Sequence, residues 1–156
     1  MRTRPDIMRH MQVLAKNRRA TFDYELTERL VAGLVLSGDE VKSLKSGHGS
    51  LKGSFIALRN SEAYLNNAHI TPYARASDKA GIDPTAARKL LLHRRQIDQL
   101  IEHKQSGLSV VPTALLLSGN LIKIEIGIGR GKKHYDKRET MKRRDTDRDV
   151  ARQLKR

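Results

Sequence analysis

Ile122-Lys123-Ile124-Glu125-Ile126-Gly127-Ile128-Gly129 alternates without a break between isoleucine and a polar or small residue. A strand sends successive side chains to opposite faces, so this period of two sets the four isoleucines on a core and Lys123, Glu125, Gly127 and Gly129 away from it. An outward face ending in two glycines is bare backbone, open to close approach by a partner. The octapeptide Gly131-Lys132-Lys133-His134-Tyr135-Asp136-Lys137-Arg138 follows almost at once, and beyond it the pattern ends. Residues 130–156 carry 12 Lys+Arg and 5 Asp+Glu against a few scattered apolar residues, Met141, Val150, Ala151 and Leu154. So sparse a set does not offset the entropy of ordering a chain. A folded body therefore hands over here to a basic tail. Spacings such as Asp145–Arg148 and Asp149–Arg152 suit helical pairs worth roughly 0.2–0.5 kcal/mol each. The expectation is a tail that is disordered when free and helical against a negative surface.

Working back toward the N-terminus, Leu108 to Leu117 reads as a long apolar strand, with Pro112 marking an edge or bulge. Asp83-Pro84 is read as the start of a helical region ending at Gly107, with Leu90, Leu91, Ile97, Leu100 and Ile101 as its apolar stripe and Arg88, Lys89, Arg94 and Arg95 crowding its first half. That basic face suits either solvent or phosphate. Residues 71–82 read as loop. Phe55 to Arg59, a turn at Asn60-Ser61, and Glu62 to Ile70 form a hairpin. Ser37 caps a helix carrying Asp39 and Glu40 in its first turn, burying Val41 and Leu44 and stopping at Gly47; Lys42 and Lys45 project from its other side. Leu30 to Leu36 reads as a strand buried on both sides, with Gly33 a bulge or a close approach. Phe22 to Thr27 reads as a separate first strand, with Phe22, Tyr24 and Leu26 inward. Residues 1–16 form a flexible basic arm.

These elements describe a mainly β body, residues 17–130, with inserted helices, between the arm and the tail, residues 131–156. Short antiparallel strands with no edge that can safely stay open suggest a closed barrel of the OB type. The 156 residues carry a formal net charge of +14. Its distribution says more: residues 1–19 hold +5, residues 20–129 hold +2 and the tail holds +7. A near-neutral body with cationic ends suits a polyanionic partner, most simply nucleic acid. The six aromatic residues are read mostly as core, which points to recognition of RNA by shape and backbone.

Several classes are disfavoured. With no cysteine, disulfides and thiolate metal sites are excluded. The six histidines show no ligand spacing, so no metal is expected. No apolar run is long enough to span a membrane, and no secretory pattern opens the chain, so an intracellular protein is expected. Gly127-Ile-Gly-Arg-Gly131-Lys132-Lys133 misses the phosphate-loop spacing and lacks its hydroxyl. Asp39-Glu40 fits a helix N-terminus better than acid–base chemistry. No arrangement argues for an enzyme, and no cofactor is implied.

Five ordered blocks carry a resemblance: Asn17-Arg18-Arg19-Ala20; Ala32-Gly33-Leu34-x-Leu36-x-Gly38-x-Glu40-Val41-Lys42-Ser43-Leu44; Ile70-Thr71-Pro72-Tyr73; Asp83-Pro84-x4-Lys89-Leu90-Leu91-Leu92; and Gly131-Lys132-Lys133-x-Tyr135-Asp136-Lys137-Arg138. Together they resemble the SsrA-binding, or small protein B, family over essentially the whole chain from Asn17. The resemblance implies a bacterial cytoplasmic, non-enzymatic adaptor of trans-translation. Such a protein binds the tRNA-like domain of transfer-messenger RNA, supports its charging by alanyl-tRNA synthetase and its delivery by elongation factor Tu to stalled ribosomes, and lays its tail in the decoding site and empty mRNA channel. It carries RNA contacts over to Asn17, Lys42, Leu91 and Lys123, with Arg18 and Arg19 in support. Ribosome contacts carry over to Lys132, Lys133, Tyr135, Asp136, Lys137 and Arg138. One departure is Val31, where the family commonly has Glu. The alternative is a general tRNA- or rRNA-binding OB protein associated with the ribosome.

Overall fold

The computed structural model describes residues 11–76 and 81–155. The strands are β1 Met11–Lys16, β2 Tyr24–Leu34, β3 Gly49–Ser50, β4 Phe55–Arg59, β5 Glu62–Asn66, β6 His69–Ile70, β7 Arg88–Leu91, β8 Ser109–Ser118 and β9 Leu121–Gly131. The helices are α1 Arg18–Asp23, α2 Gly38–Lys45, α3 Arg94–Gln105 and α4 His134–Leu154. Seven strands form one antiparallel sheet in the order β1-β8-β9-β2-β7-β5-β4, and β3 pairs with β6 in a small second sheet.

The isoleucine strand sits near the middle of the large sheet, paired with β8 on one side and β2 on the other. Ile122, Ile124, Ile126 and Ile128 are all buried, as the alternation requires. They meet Leu34, Leu44, Leu65, Leu90, Leu100 and Leu115 in one aliphatic core. No aromatic residue belongs to that core. This corrects the reading of the aromatics: Phe55 is 52% exposed and Tyr135 68% exposed, and Phe22, Tyr24, Tyr64 and Tyr73 are only partly covered.

The sheet is not a closed barrel. It curls far enough for β4 to pack across β8, but β1 and β4 end the strand order as two unpaired edges. Met11–Lys16, expected within a flexible arm, is an edge strand hydrogen-bonded along β8; residues 1–10 of that arm lie outside the described residues. The expected strand at Phe22–Thr27 divides instead. Arg18–Asp23 is helical, and Tyr24 begins the long strand β2, which has a register shift at Thr27. The Leu30–Leu36 segment is buried on one side only, through Ala32 and Leu34, with Val35 exposed. The helix expected to start at Pro84, capped by Asp83, begins ten residues late, at Arg94. Asp83 does bind Thr85 through its carboxylate, 2.9 Å from both the backbone N–H and the hydroxyl. That closes a turn, and the chain then extends as β7. Part of the expected loop, residues 77–80, lies outside the described residues.

Other local readings hold. Ser37 accepts from the Glu40 N–H and the Glu40 carboxylate accepts from the Ser37 N–H, a reciprocal cap on α2. The β8–β9 register shifts between Pro112 and Ala114, placing a bulge beside the proline.

Gly127 and Gly129 of β9 do not leave an open surface. A Cβ on Gly127 would meet Leu26 and the Thr113 methyl, and one on Gly129 would lie 1.9 Å from the Glu25 carbonyl oxygen. The chain's own β2 makes the close approach. Gly129→Ala is therefore expected to destabilise the fold by about 3 kcal/mol, at the upper end for overpacking because backbone cannot rotate aside. Chemical denaturation should report this as a lowered midpoint.

Candidate nucleic-acid interface

One face of the sheet can be followed strand by strand. In β2, Gly33 is paired with Leu91 of β7 on one side and with Lys123 of β9 on the other. Directly paired residues project to the same face, so Leu91 and Lys123 flank Gly33 in one row. Leu91 is 58% exposed, and its side chain lies over Gly33, where an added Cβ would be 3.1 Å from the Leu91 Cβ. The close approach expected at Gly33 is this one. Leu91 is thus a surface residue of a strand, not part of a helix stripe.

Asn17, Arg18 and Arg19 stand together at the entry to α1. Asn17 is tied down by its own chain: its N–H donates to the Thr113 carbonyl at 2.7 Å and its Nδ2 to the Pro112 carbonyl at 2.9 Å. The β8 bulge therefore fixes the direction in which the two arginines leave. Lys16, Asn17, Arg18, Arg19, Ser50 and Lys52 line one groove. Four cations around a shallow groove make a local field suited to a phosphate backbone. No local pattern marks Lys16 and Lys52, because their approach depends on β1 pairing with β8 and lying beside β3. Lys42 projects from α2 over the ring of Tyr73, with its Nζ 5.4 Å from the centroid and 3.9 Å from an Asp39 oxygen.

The basic residues assigned to a helix face separate into different roles. Arg88 is buried and bound to Glu40, Ala68 and Pro84. Lys89 pairs with Glu62 at 2.7 Å, Arg94 pairs with Asp98 along α3, and Arg95 is exposed. Arg88 joins α2 to β7 and holds Lys42 and Leu91 on one frame.

The octapeptide divides as well. Lys132 is a staple: its N–H donates to the Asp23 carbonyl, and its Nζ donates to the Thr21 carbonyl and the Thr140 hydroxyl, both at 3.2 Å. Asp136 accepts from the Lys133 N–H at the start of α4, and Lys137 pairs with Asp23 at 3.2 Å. Lys133, Tyr135 and Arg138 are exposed. The neighbouring Asp136 carboxylate raises the pKa of the Tyr135 hydroxyl, keeping it a neutral donor. Arg144 lies 5.6 Å over the Phe22 ring. None of the 21 residues of α4 is buried.

The described residues contain no helix long and apolar enough to cross a membrane and no cluster of side chains suited to a metal ion.

The model of the SmpB protein family matches residues 14–156. An SsrA-binding protein of Chloroflexus aggregans is 47% identical over 148 residues, covering 94% of each chain. That of Synechococcus sp. strain JA-3-3Ab is 46% identical over 149 residues, covering 94% of this chain and 96% of the relative. A chain from the solved structure "tmRNA-SmpB: a journey to the center of the bacterial ribosome" superposes with a TM-score of 0.63 at 41% identity, covering 76% of this chain and 84% of that one. A match that begins inside β1 and runs to the last residue, through body and terminal helix alike, is one of whole architecture, and the chain belongs to the SmpB protein family.

Proposed function

We propose that this chain is an RNA-binding adaptor of trans-translation in the bacterial cytoplasm. Its sheet face and cationic groove hold the tRNA-like domain of transfer-messenger RNA. Its terminal helix enters the decoding site and mRNA channel of a stalled ribosome. The RNA, charged with alanine by alanyl-tRNA synthetase and carried by elongation factor Tu, then supplies the reading frame for a degradation tag. The chain itself performs no chemistry.

The observation that carries this reading is the division of the molecule. A body whose sheet face carries Leu91 and Lys123 in one row is joined to a cationic helix that buries none of its own residues. Leu91 supplies an apolar contact, Lys123 a phosphate contact, and Arg18 and Arg19 a second basic anchor on the frame fixed by Asn17. Lys133, Tyr135 and Arg138 are the free groups of the ribosome-facing set. Lys132, Asp136 and Lys137 act by holding the root of α4.

In a competition gel shift the chain is expected to prefer the tRNA-like domain to ordinary tRNA. Equal affinity would replace this reading with that of a general tRNA-binding protein. Lys123→Ala is expected to weaken binding at low salt and to reduce the log–log salt slope by about 0.7–0.9, one phosphate contact. Titrations at several salt concentrations measure both; an unchanged slope would remove Lys123 from the interface.

A further inference from the structure

The outward face continues past Leu91 toward the sheet edge. Two residues before Leu91, Lys89 is paired with Tyr64 of β5, and Tyr64 with Ala57 of β4. On the same face Arg59 lies opposite Glu62, and Phe55 opposite Asn66. Ala57, Arg59, Asn60, Glu62, Tyr64, Asn66 and Ala87 enclose a hollow of about 350 Å³. Two alanines leave the room, and the aromatic ring supplies a wall.

The ring is held in place. The Tyr64 hydroxyl donates to the Glu62 carboxylate, whose other oxygen accepts from Lys89 Nζ at 2.7 Å. The Lys89 bond above all, with the Tyr64 bond second, lowers the pKa of Glu62, so it stays an anion and an acceptor. The Glu62 bond raises that of Tyr64, so it stays a donor. Asn66 also lines the hollow, and its Oδ1, tucked just beneath the surface, has no hydrogen-bond partner among the described residues. A buried acceptor left unpaired costs free energy that a donor from a ligand would recover. Arg59 is exposed at the rim.

We propose that this hollow is a nucleobase subsite of the RNA interface, taking one unstacked base of the bound RNA. The base stacks on Tyr64 and donates an N–H to Asn66 Oδ1, and Arg59 meets the adjoining phosphate. The inference rests on the reading of the sheet face as the RNA-binding surface. Three observations favour a base over other occupants. The hollow is continuous through Lys89 with the Leu91–Lys123 row. Its aromatic wall belongs to a chain whose aromatics are kept out of the core. The unpaired buried atom of its lining, Asn66 Oδ1, is an acceptor, complementary to the amino or imino edge that an unpaired base exposes.

Two variants of the full chain test this against the tRNA-like domain of transfer-messenger RNA. Tyr64→Ala removes the stacking wall. Ala57→Leu fills the hollow from a half-buried strand position and deletes no contact, and an unchanged denaturation midpoint checks that its fold is kept. Each is expected to weaken binding about tenfold, a typical loss for one stacked base. Each should also restore chemical reactivity to the Watson–Crick edge of a single nucleotide that the unaltered protein protects. Wild-type affinity and an unchanged footprint in Ala57→Leu would overturn the subsite and leave RNA binding by the face intact. If the unaltered protein failed to bind this RNA, the broader reading would fall instead.

Discussion

Glu40→Ala is expected to cost about 3–5 kcal/mol of folding stability, far more than an exposed helix residue should, because it strands a buried charge. The Arg88 side chain is 3% exposed. Its Nε and Nη2 both lie 2.8 Å from one Glu40 oxygen, while Nη1 reaches the Ala68 carbonyl at 2.7 Å and Nη2 the Pro84 carbonyl at 3.0 Å. The two carbonyls satisfy donors but carry no charge. Removing the carboxylate therefore leaves a guanidinium in the interior with dipoles alone to balance it. Glu40 also caps α2 through Ser37, and that part can be measured separately, since Ser37→Ala should cost only about 1 kcal/mol. Combining Glu40→Ala with Arg88→Leu should recover much of the loss, because the paired desolvation penalty then disappears. Urea denaturation of the single and double variants gives the coupling directly. If Glu40→Ala cost no more than Ser37→Ala, the pair would be only a cap with an incidental neighbour. A large coupling would explain how α2, which bears Lys42, keeps its position against β7, which bears Leu91.

That pair also shows where the sequence stops being legible. Ile122 to Gly129 and Ser37 to Glu40 were readable because alternation and capping are fixed by residues within a few positions of each other. Arg88 was not readable: its three partners lie 48, 20 and 4 residues away. Beside Lys89 it looks like half of a basic patch. Asp83-Pro84 misled for a related reason. The same side-chain geometry that caps a helix also closes an Asx turn, and only the pairing of β7 with β2 and β5 selects extension over helix. Leu90 and Leu91 fit a helix stripe as well as a strand with one face in and one out. Barrel closure is a more remote property still. It depends on whether β4, after all the intervening twist, reaches β1, and no local pattern encodes that distance. The cationic ends were legible as charge. The groove that gathers Lys16, Arg18, Arg19 and Lys52 required the β1–β8 pairing.

Ending the chain after Arg130 is expected to abolish tagging on stalled ribosomes while leaving affinity for the tRNA-like domain within a few-fold of the full chain. The reason lies in how α4 is attached. Its root is held by Lys132 on Thr21 and Asp23, by Lys137 on Asp23, and by Arg144 over Phe22. Past Arg144, the ion pair present among the described residues of the helix is Asp149–Arg152, at 3.9 Å and largely exposed. Such a pair contributes roughly 0.2–0.5 kcal/mol, far below the cost of ordering ten residues. The outer half of α4 is therefore expected to fray in the free protein and to be held as a helix by what it binds. In the proposed role, an rRNA-walled channel would offer the negative surface that suits a segment carrying +7 over residues 130–156. The sheet-face residues Leu91, Lys123, Tyr64 and Lys89 are positioned by pairings and bonds within the sheet. The root of α4 meets the second anchor through Thr21, Phe22 and Asp23, on the helix that carries Arg18 and Arg19, so RNA affinity is expected to survive its loss. Two measurements separate the halves: a binding titration of the truncated chain against the tRNA-like domain, and a tagging assay on ribosomes stalled without a stop codon. Hydrogen exchange adds a third, with amides at 145–154 expected to be unprotected in the free protein and protected on the ribosome. Truncation that cost the RNA affinity, or slow exchange along that segment in the free protein, would mean the helix is part of the body and not its probe.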